Sequence, residues 1–306
     1  MSRVLVAGGA GFLGSNLCAR LLDHGDMVYC MDNFSTGSSN NISELYANNR
    51  FHLILANTSC GPIPEIDVDQ IYHLASPTAP GAYQKDPEGT LEANIAGTEN
   101  LLKMATEQGA TMLFTSSIRV TEALEIMSPH SCYVGGKRRG EELCLRYHEE
   151  KGTRVKVARL YNTYGPKMAM DDSRVVPQFV MRALKGDPLK IVGTGLQKDS
   201  FCYVDDMLDG LMAYMDSDIF PGPVEFGYPY PISIVELAEL AIKVTHSRSP
   251  IIFNGIDRSE REMEIKKNRP IPDISEARKR LGWEPKVSLE TGLMRLADYY
   301  CKAMGA

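Results

Sequence analysis

Nowhere does the sequence hold an unbroken apolar run near the ~20 residues that a bilayer span requires, which argues against a membrane protein. The start, Met1-Ser2-Arg3, passes directly into Val4-Leu5-Val6 and glycines, without the basic region, apolar stretch and small-residue cleavage site of a secretory signal. A cytoplasmic protein is expected. The seven cysteines include no C-x-x-C pair and the six histidines show no metal-ligand spacing, so reduced thiols and no metal are expected. Basic residues are dispersed in a chain of formal charge -6. The densest run, Lys137-Arg138-Arg139, is followed at once by Glu141 and Glu142, as on a solvated helix face, so no nucleic-acid partner is expected. Internal repeats and low-complexity tracts are lacking as well, which leaves solenoid and linker readings unsupported.

What is present is an ordinary globular composition, 43% hydrophobic and 24% charged over 306 residues. A chain of this length buries roughly three quarters of its unfolded surface, enough for one large domain or two that share a cleft. Short apolar strands alternate with helical stretches through the first 160 residues. Strands are expected at Arg3 to Ala7, Met27 to Met31, Phe51 to Leu55, Gln70 to Leu74, Thr111 to Ser116 and Arg154 to Leu160. Helices are expected from about Gly11, over Pro87 to Gln108 and over Tyr133 to Lys151. This alternation predicts an α/β fold, a parallel sheet with helices on both faces. The remainder breaks rhythm, with Pro and Gly at Gly165-Pro166, Gly186-Asp187-Pro188 and Pro221 to Pro223. It reads as a smaller substrate-covering domain. The expected division is residues 1–165 as the nucleotide-binding domain, with return segments near 199–218 and 248–256, and residues 166–198 and 219–306 as mainly substrate-binding.

The glycines Gly8, Gly11 and Gly14 are spaced three apart between the first strand and its helix. In that place Gly8 permits a tight turn, Gly11 a close approach of backbone to a pyrophosphate, and Gly14 close helix packing, with the helix N-terminus facing the anion. The second strand ends at Asp32, where a carboxylate accepts hydrogen bonds from an adenosine ribose and repels a 2′-phosphate, favouring NAD over NADP. The alternative is that Asp32-Asn33 only starts a turn.

Tyr133 and Lys137 lie one helical turn apart on one face. A hydride leaves a carbinol carbon only if the hydroxyl proton is taken at the same time. Tyrosine is a poor base at its ordinary pKa of about 10. A lysine charge at ~4 Å and an effective dielectric of ~20 contributes about 4 kcal/mol, roughly three pKa units, toward phenolate. Ser117, at the end of the preceding strand, would hold the substrate hydroxyl. A Tyr and a Lys four apart also occur by chance in many helices; the glycine loop, Asp32 and Ser117, in that order, are what favour the catalytic reading.

The chain resembles the extended short-chain dehydrogenase/reductase superfamily of NAD-dependent sugar-nucleotide epimerases, dehydratases and decarboxylases, with its strongest likeness to the UDP-glucuronate decarboxylase (UDP-xylose synthase) group. The likeness runs over nearly the whole length, through the glycine loop, Asp32-Asn33-Phe34, Tyr72 to Pro77, Asn94 to Thr98, Tyr133 with Lys137, Asn162 to Pro166, Arg174-Val175-Val176, Phe201 to Asp206 and Gly282 to Pro285. It implies a Rossmann-type domain that keeps NAD bound, catalytic Ser117, Tyr133 and Lys137, and transient oxidation at C4 of a nucleotide sugar. It adds Phe12, Leu13, Asn33, Leu74, Ala75 and Asn94 to the cofactor contacts, with Tyr133 and Lys137 also touching the cofactor. Substrate contacts are implied for Ser76, Arg119, Asn162, Arg174, Val175, Tyr203 and Arg269. A homodimer through the helices Pro87 to Gln108 and Tyr133 to Lys151 is implied too.

The departures from the family pattern fall on the substrate side. Arg119 stands where decarboxylases of the family carry a glutamate, and an arginine there suits a substrate carboxylate or phosphate. Fifteen residues separate Ser117 from Tyr133, where roughly a dozen more would form a loop over the sugar. Asp199 and Pro270 replace two expected phosphate-contacting arginines, with Lys198 and Arg269 as neighbours. Asn57-Thr58-Ser59 replaces an aspartate expected near the adenine. Three readings follow: a decarboxylase, a 4-epimerase or an enzyme on a non-UDP nucleotide or nucleoside. A non-enzymatic NAD-binding protein is the fourth, and the intact Ser117, Tyr133 and Lys137 weigh against it.

Overall fold

The computed structural model describes residues 1–61, 63–121, 131–254 and 270–305. Arg269, expected at the substrate, lies outside the described residues. In chain order the regular elements begin with β1 (Arg3–Ala7), α1 (Phe12–His24), β2 (Met27–Asp32), β3 (Phe51–Leu55), β4 (Gln70–His73), α2 (Pro80–Lys85) and α3 (Pro87–Gln108). They continue with β5 (Thr111–Ser117), α4 (Ser131–Lys151), β6 (Val155–Leu160), β7 (Thr163–Tyr164), α5 (Val175–Lys185) and β8 (Leu189–Val192). The last are β9 (Lys198–Asp199), β10 (Cys202–Tyr203), α6 (Val204–Asp216), β11 (Pro223–Phe226), β12 (Ile232–Ser233), α7 (Ile234–Val244), β13 (Ile251–Asn254) and the helices Ser275–Leu281 and Leu289–Met304.

Among the described residues the chain divides into two compact units: one of residues 1–160, 208–225 and 276–283, the other of 161–207, 226–275 and 284–306. The first holds most of a seven-stranded sheet in the order β11-β6-β5-β4-β1-β2-β3. Every pairing from β6 to β3 is parallel. Strands buried on both faces read as continuous apolar runs. Val4, Leu5, Val6 and Ala7 of β1 are accordingly all fully buried. Order 3-2-1-4-5 across the sheet, with β1 central, is the doubly wound arrangement, in which ligands bind outside the carboxyl ends of the strands where the order reverses.

Local signals fix the helix ends. Asp86 caps α3 through its carboxylate, which accepts from the Gly89 N–H at 2.9 Å, and Pro87 occupies the first turn. Gly109 closes the same helix at φ 64°. Between α3, α4 and the sheet lies a core of Leu101, Leu102, Phe114, Leu143, Tyr147 and Val157, among others.

Two-stranded pairings in the second unit join β10 to β7, β12 to β9 and β13 to β8. Its helix α7 starts in a reciprocal cap, with Ser233 and Glu236 each accepting from the other's backbone N–H. Residues 248–254 lie in the second unit, where β13 runs parallel to β8 from Ile251↔Leu189 to Asn254↔Val192; residues 255 and 256 of the segment expected to return to the nucleotide domain lie outside the described residues. The helix Ser275–Leu281 belongs, from Glu276 onward, to the first unit. Residues 208–225 lie in the first unit and residues 199–207 in the second. A four-residue strand such as β13 carries little periodicity, so its assignment depends on long-range pairing.

Candidate active site

Backbone closes on Gly8 and Gly14 in the turn between β1 and α1. Gly8 has φ 82°, a conformation open to glycine and strained for other residues. A Cβ on Gly8 would lie 2.7 Å from the Ala75 nitrogen, and one on Gly14 would lie 2.1 Å from the Gly8 carbonyl oxygen. Leu74 and Ala75 thus press directly on the turn, and the Leu74 N–H donates to Ala7 O at 2.8 Å. Gly11 is the N-cap of α1 and no side chain caps that helix. Phe12, Leu13 and Gly14 form its first turn, whose N–H groups have no partner within the helix.

Asp32 ends β2 and is 8% exposed. Its carboxylate accepts from Ala10 N–H at 2.9 Å and from Phe34 N–H at 2.8 Å. Asn33 turns its side chain back to accept from Ser35 N–H at 3.0 Å. Turn initiation and a role toward a ribose are therefore compatible, since each carboxylate oxygen has a second lone pair.

Asn94 on α3 is fully buried. Its Nδ2 donates to Ser76 Oγ at 2.9 Å and to Thr90 O at 2.8 Å, while Oδ1 meets no donor among the described residues. Next to it, Thr98 Oγ1 donates to Asn94 O at 2.7 Å and lies 3.0 Å from His73 Nε2. A hydroxyl has one hydrogen, so Nε2 carries the proton of His73 and Nδ1 is a bare acceptor, also unmet. Burial, reinforced by Lys137, pushes His73 down to about 3 and keeps it neutral.

Ser117 is the last residue of β5, next to β4 in the sheet, and is 8% exposed. Its Oγ accepts from Arg119 N–H at 3.3 Å. Lys137 on α4 is 2% exposed and donates to Thr115 O at 2.7 Å, with its ammonium 4.9 Å from the Phe114 ring centroid. Burial pushes it from 10.5 down to about 7, against smaller upward pulls from Cys144 and Glu141. Tyr133 lies one helical turn before Lys137 and its ring stacks on that of Tyr83. Gly136 brings α4 against α3: a Cβ there would meet Asn94 Cβ at 3.0 Å. Ser76, Asn94, Ser117, Tyr133 and Lys137 therefore all sit on the loop after β4, on β5, α3 and α4, within the first unit. Among the described residues no group of three His, Cys, Asp or Glu side chains is arranged to hold a metal.

The second unit carries Asn162, Arg174, Val175 and Tyr203. Asn162 Nδ2 donates to Asp199 Oδ1 at 2.7 Å and to Ser200 O at 3.1 Å. Both amide hydrogens expected to face substrate phosphates are thus donated within the fold. Arg174 Nε lies 3.0 and 3.1 Å from the two Asp172 oxygens, and Nη2 lies 2.5 Å from Oδ2. Val175 opens α5 immediately after it. Tyr203 is buried, edge-on to Tyr164, with Arg295 5.4 Å from its ring centroid. Sequence reasoning passed over Tyr83, Asp172 and Phe114, and took in His73 only as part of the Tyr72 to Pro77 motif. Of the first three only Asp172 had a local signal, its place two residues before Arg174.

The glycine turn, the uncapped α1, the ribose-height carboxylate and the unmet Asn94 Oδ1 together fit an NAD dinucleotide. Comparison with known proteins agrees. The chain is 40% identical over 311 residues to UDP-glucuronic acid decarboxylase 1 of Arabidopsis thaliana, across 97% of this chain and 69% of that one. It superposes on the UDP-glucuronic acid 4-epimerase of Bacillus cereus, solved with UDP-glucuronic acid and NAD, at TM-score 0.80 and 26% identity, covering 98% and 99% of the two chains. With the UDP-glucose 4-epimerase of Thermotoga maritima, solved with UDP-glucose, the TM-score is 0.84 at 25% identity, covering 99% of each. The pattern of the NAD dependent epimerase/dehydratase family matches residues 4–223, and the chain belongs to that family.

Proposed function

We propose that this enzyme oxidises UDP-glucuronate at C4 and releases the C5 carboxylate as carbon dioxide. The observation that carries the reading is the buried Lys137, its ammonium fixed on the Thr115 carbonyl, two residues before Ser117 and one helical turn after Tyr133. NAD, when bound, accepts the C4 hydride and returns it at the end of the cycle. Ser117 Oγ accepts from the Arg119 backbone, so its own hydrogen is left to donate to the C4 oxygen. Tyr133 takes the C4 hydroxyl proton, and the Lys137 charge favours the phenolate that does so. The C4 ketone is β to the carboxylate. Breaking the carbon–carbon bond sends its electron pair through C5 to the C4 oxygen, where Ser117 donates; a proton from water then adds at C5 and restores the ketone, and Tyr133 returns its own proton to the C4 oxygen as that ketone is reduced. Gly8, Gly11, Phe12, Leu13 and Gly14 hold the pyrophosphate, Asp32 and Asn33 the ribose, and Leu74, Ala75 and Asn94 the nicotinamide half. Ser76, Arg119, Asn162, Arg174, Val175, Tyr203 and Arg269 take the nucleotide sugar.

A second reading, 4-epimerisation, is favoured by Arg119. A guanidinium gripping the carboxylate stabilises it against departure as neutral carbon dioxide, leaving the ketone to be reduced from its other face. Asp199, a carboxylate in the place of an expected phosphate-binding arginine, favours a less anionic nucleotide or nucleoside as the third. A cytoplasmic homodimer joined through α3 and α4 completes the reading. Incubation with NAD and UDP-glucuronate, followed by mass spectrometry and chromatography, separates the three. Loss of carbon dioxide supports decarboxylation, a product of unchanged mass supports epimerisation, and unchanged substrate rejects both.

A further inference from the structure

We infer that Tyr83, on the short helix α2, is a positioning residue for Tyr133, an inference that rests on the catalytic role proposed for Tyr133. Their ring centroids are 5.3 Å apart with planes 14° from parallel. Tyr83 is 2% exposed, and with Tyr133 and Val134 it forms a small buried cluster of its own, with Cys132 packed against it. Cys132 Sγ also donates to the Tyr83 carbonyl at 3.6 Å. Ring and backbone of Tyr83 thus both grip the first turn of α4.

That turn needs an outside support. Tyr133 is the third residue of α4, where the backbone N–H groups lack intrahelical partners and helices fray. A tyrosine ring is also soft about its last torsion, which is broad rather than sharply staggered. Rotation about that torsion leaves the phenol oxygen in place but turns the ring plane. The O–H bond and the in-plane lone pair follow the ring plane by conjugation, so the plane sets the direction in which a proton is exchanged. A parallel ring against one face fixes that plane, in the near-parallel arrangement that aromatic pairs favour when offset. The stack is made by the ring, which phenylalanine retains.

The test compares the wild type with Tyr83→Leu and Tyr83→Phe as full chains with NAD and UDP-glucuronate. For Tyr83→Leu, kcat should fall about ten- to a hundredfold, with KM and NAD affinity within about twofold of wild type. Tyr83→Phe should keep wild-type kcat. NMR of ring-labelled tyrosine gives a readout independent of turnover: the Tyr133 signal, assigned by its loss in Tyr133→Phe, should leave its ring-shielded position in the leucine variant only. Unchanged kcat in Tyr83→Leu, an equal loss in Tyr83→Phe, or a kcat loss matched by lost NAD affinity would overturn the inference. Should Tyr83→Leu not fold, Tyr83→Met is judged by the same criteria. A wild type that keeps the shielded signal yet turns nothing over sinks the functional reading, and this inference with it. Turnover with an unaffected leucine variant sinks this inference alone.

Discussion

The Asp32 carboxylate accepts the backbone N–H of Ala10 at 2.9 Å, so the end of β2 holds the glycine turn that follows β1. Removing the carboxylate leaves a buried N–H unmet, at a cost of about 1–3 kcal/mol. Asp32→Ala is expected to lower unfolding free energy in urea by that amount and to weaken NAD binding in calorimetry. Asp32→Asn should recover only part of either, because its amide nitrogen is a donor facing a donor.

Gly14→Ala should abolish NAD binding while the rest of the chain still folds. The added Cβ would stand 2.1 Å from the Gly8 carbonyl oxygen, and backbone on that side has Leu74 and Ala75 behind it. Fluorescence titration with NADH reads the loss, and circular dichroism checks the fold.

Tyr133→Phe removes the proton acceptor and keeps the stacked ring. Turnover should fall at least about a hundredfold, the lower range for loss of general acid–base catalysis, with NAD affinity little changed. Steady-state kinetics beside NAD calorimetry would show the separation.

Lys137 gives a pH prediction with a definite sign. Its folded pKa is lowered by burial from 10.5 to about 7. Below about pH 7 the ammonium is charged in folded and unfolded chains alike, and the fold carries the full desolvation penalty. Between about 7 and 10.5 the unfolded chain holds a proton that the folded chain has lost, so stability from this group rises with pH. Lys137→Met should therefore stabilise the fold relative to wild type most in acid, by at most about 5 kcal/mol, and the gain should vanish as pH approaches 10. Denaturant melts at a series of pH values test it. A gain that grows with pH would contradict the assignment.

Asp199→Ala removes the acceptor of one Asn162 amide hydrogen, donated to Asp199 Oδ1 at 2.7 Å, and takes a negative charge from the second unit. UDP should bind at least about tenfold more tightly, roughly the 1–2 kcal/mol of one close like-charge contact at partial exposure, as read by calorimetry.

The sheet was legible because buried parallel strands such as Val4 to Ala7 announce themselves as apolar runs, and because Asp86-Pro87 and Gly109 punctuate α3 in the sequence itself. The glycine turn was legible for a similar reason: local backbone constraint selects residue types that are visible one at a time. The stack of Tyr83 on Tyr133, the grip of Asp172 on Arg174 and the commitment of Asn162 to Asp199 were not. Of these the first and third join residues far apart in sequence, and side-chain chemistry alone gives many equal choices of partner. The unit that holds Ile251–Asn254 was not legible either, because a four-residue strand is equally suited to both until its partner β8 is known.

Asn94 has both amide hydrogens committed, to Ser76 and to Thr90, so the oxygen is all that it can offer. It is thereby a one-way reader: whatever meets it must bring a hydrogen, and an acceptor arriving there is refused by lone-pair repulsion. The amide also cannot flip to suit a different visitor without breaking two bonds at once. A small polar side chain locked in this way discriminates donor from acceptor through the rigidity of its own helix.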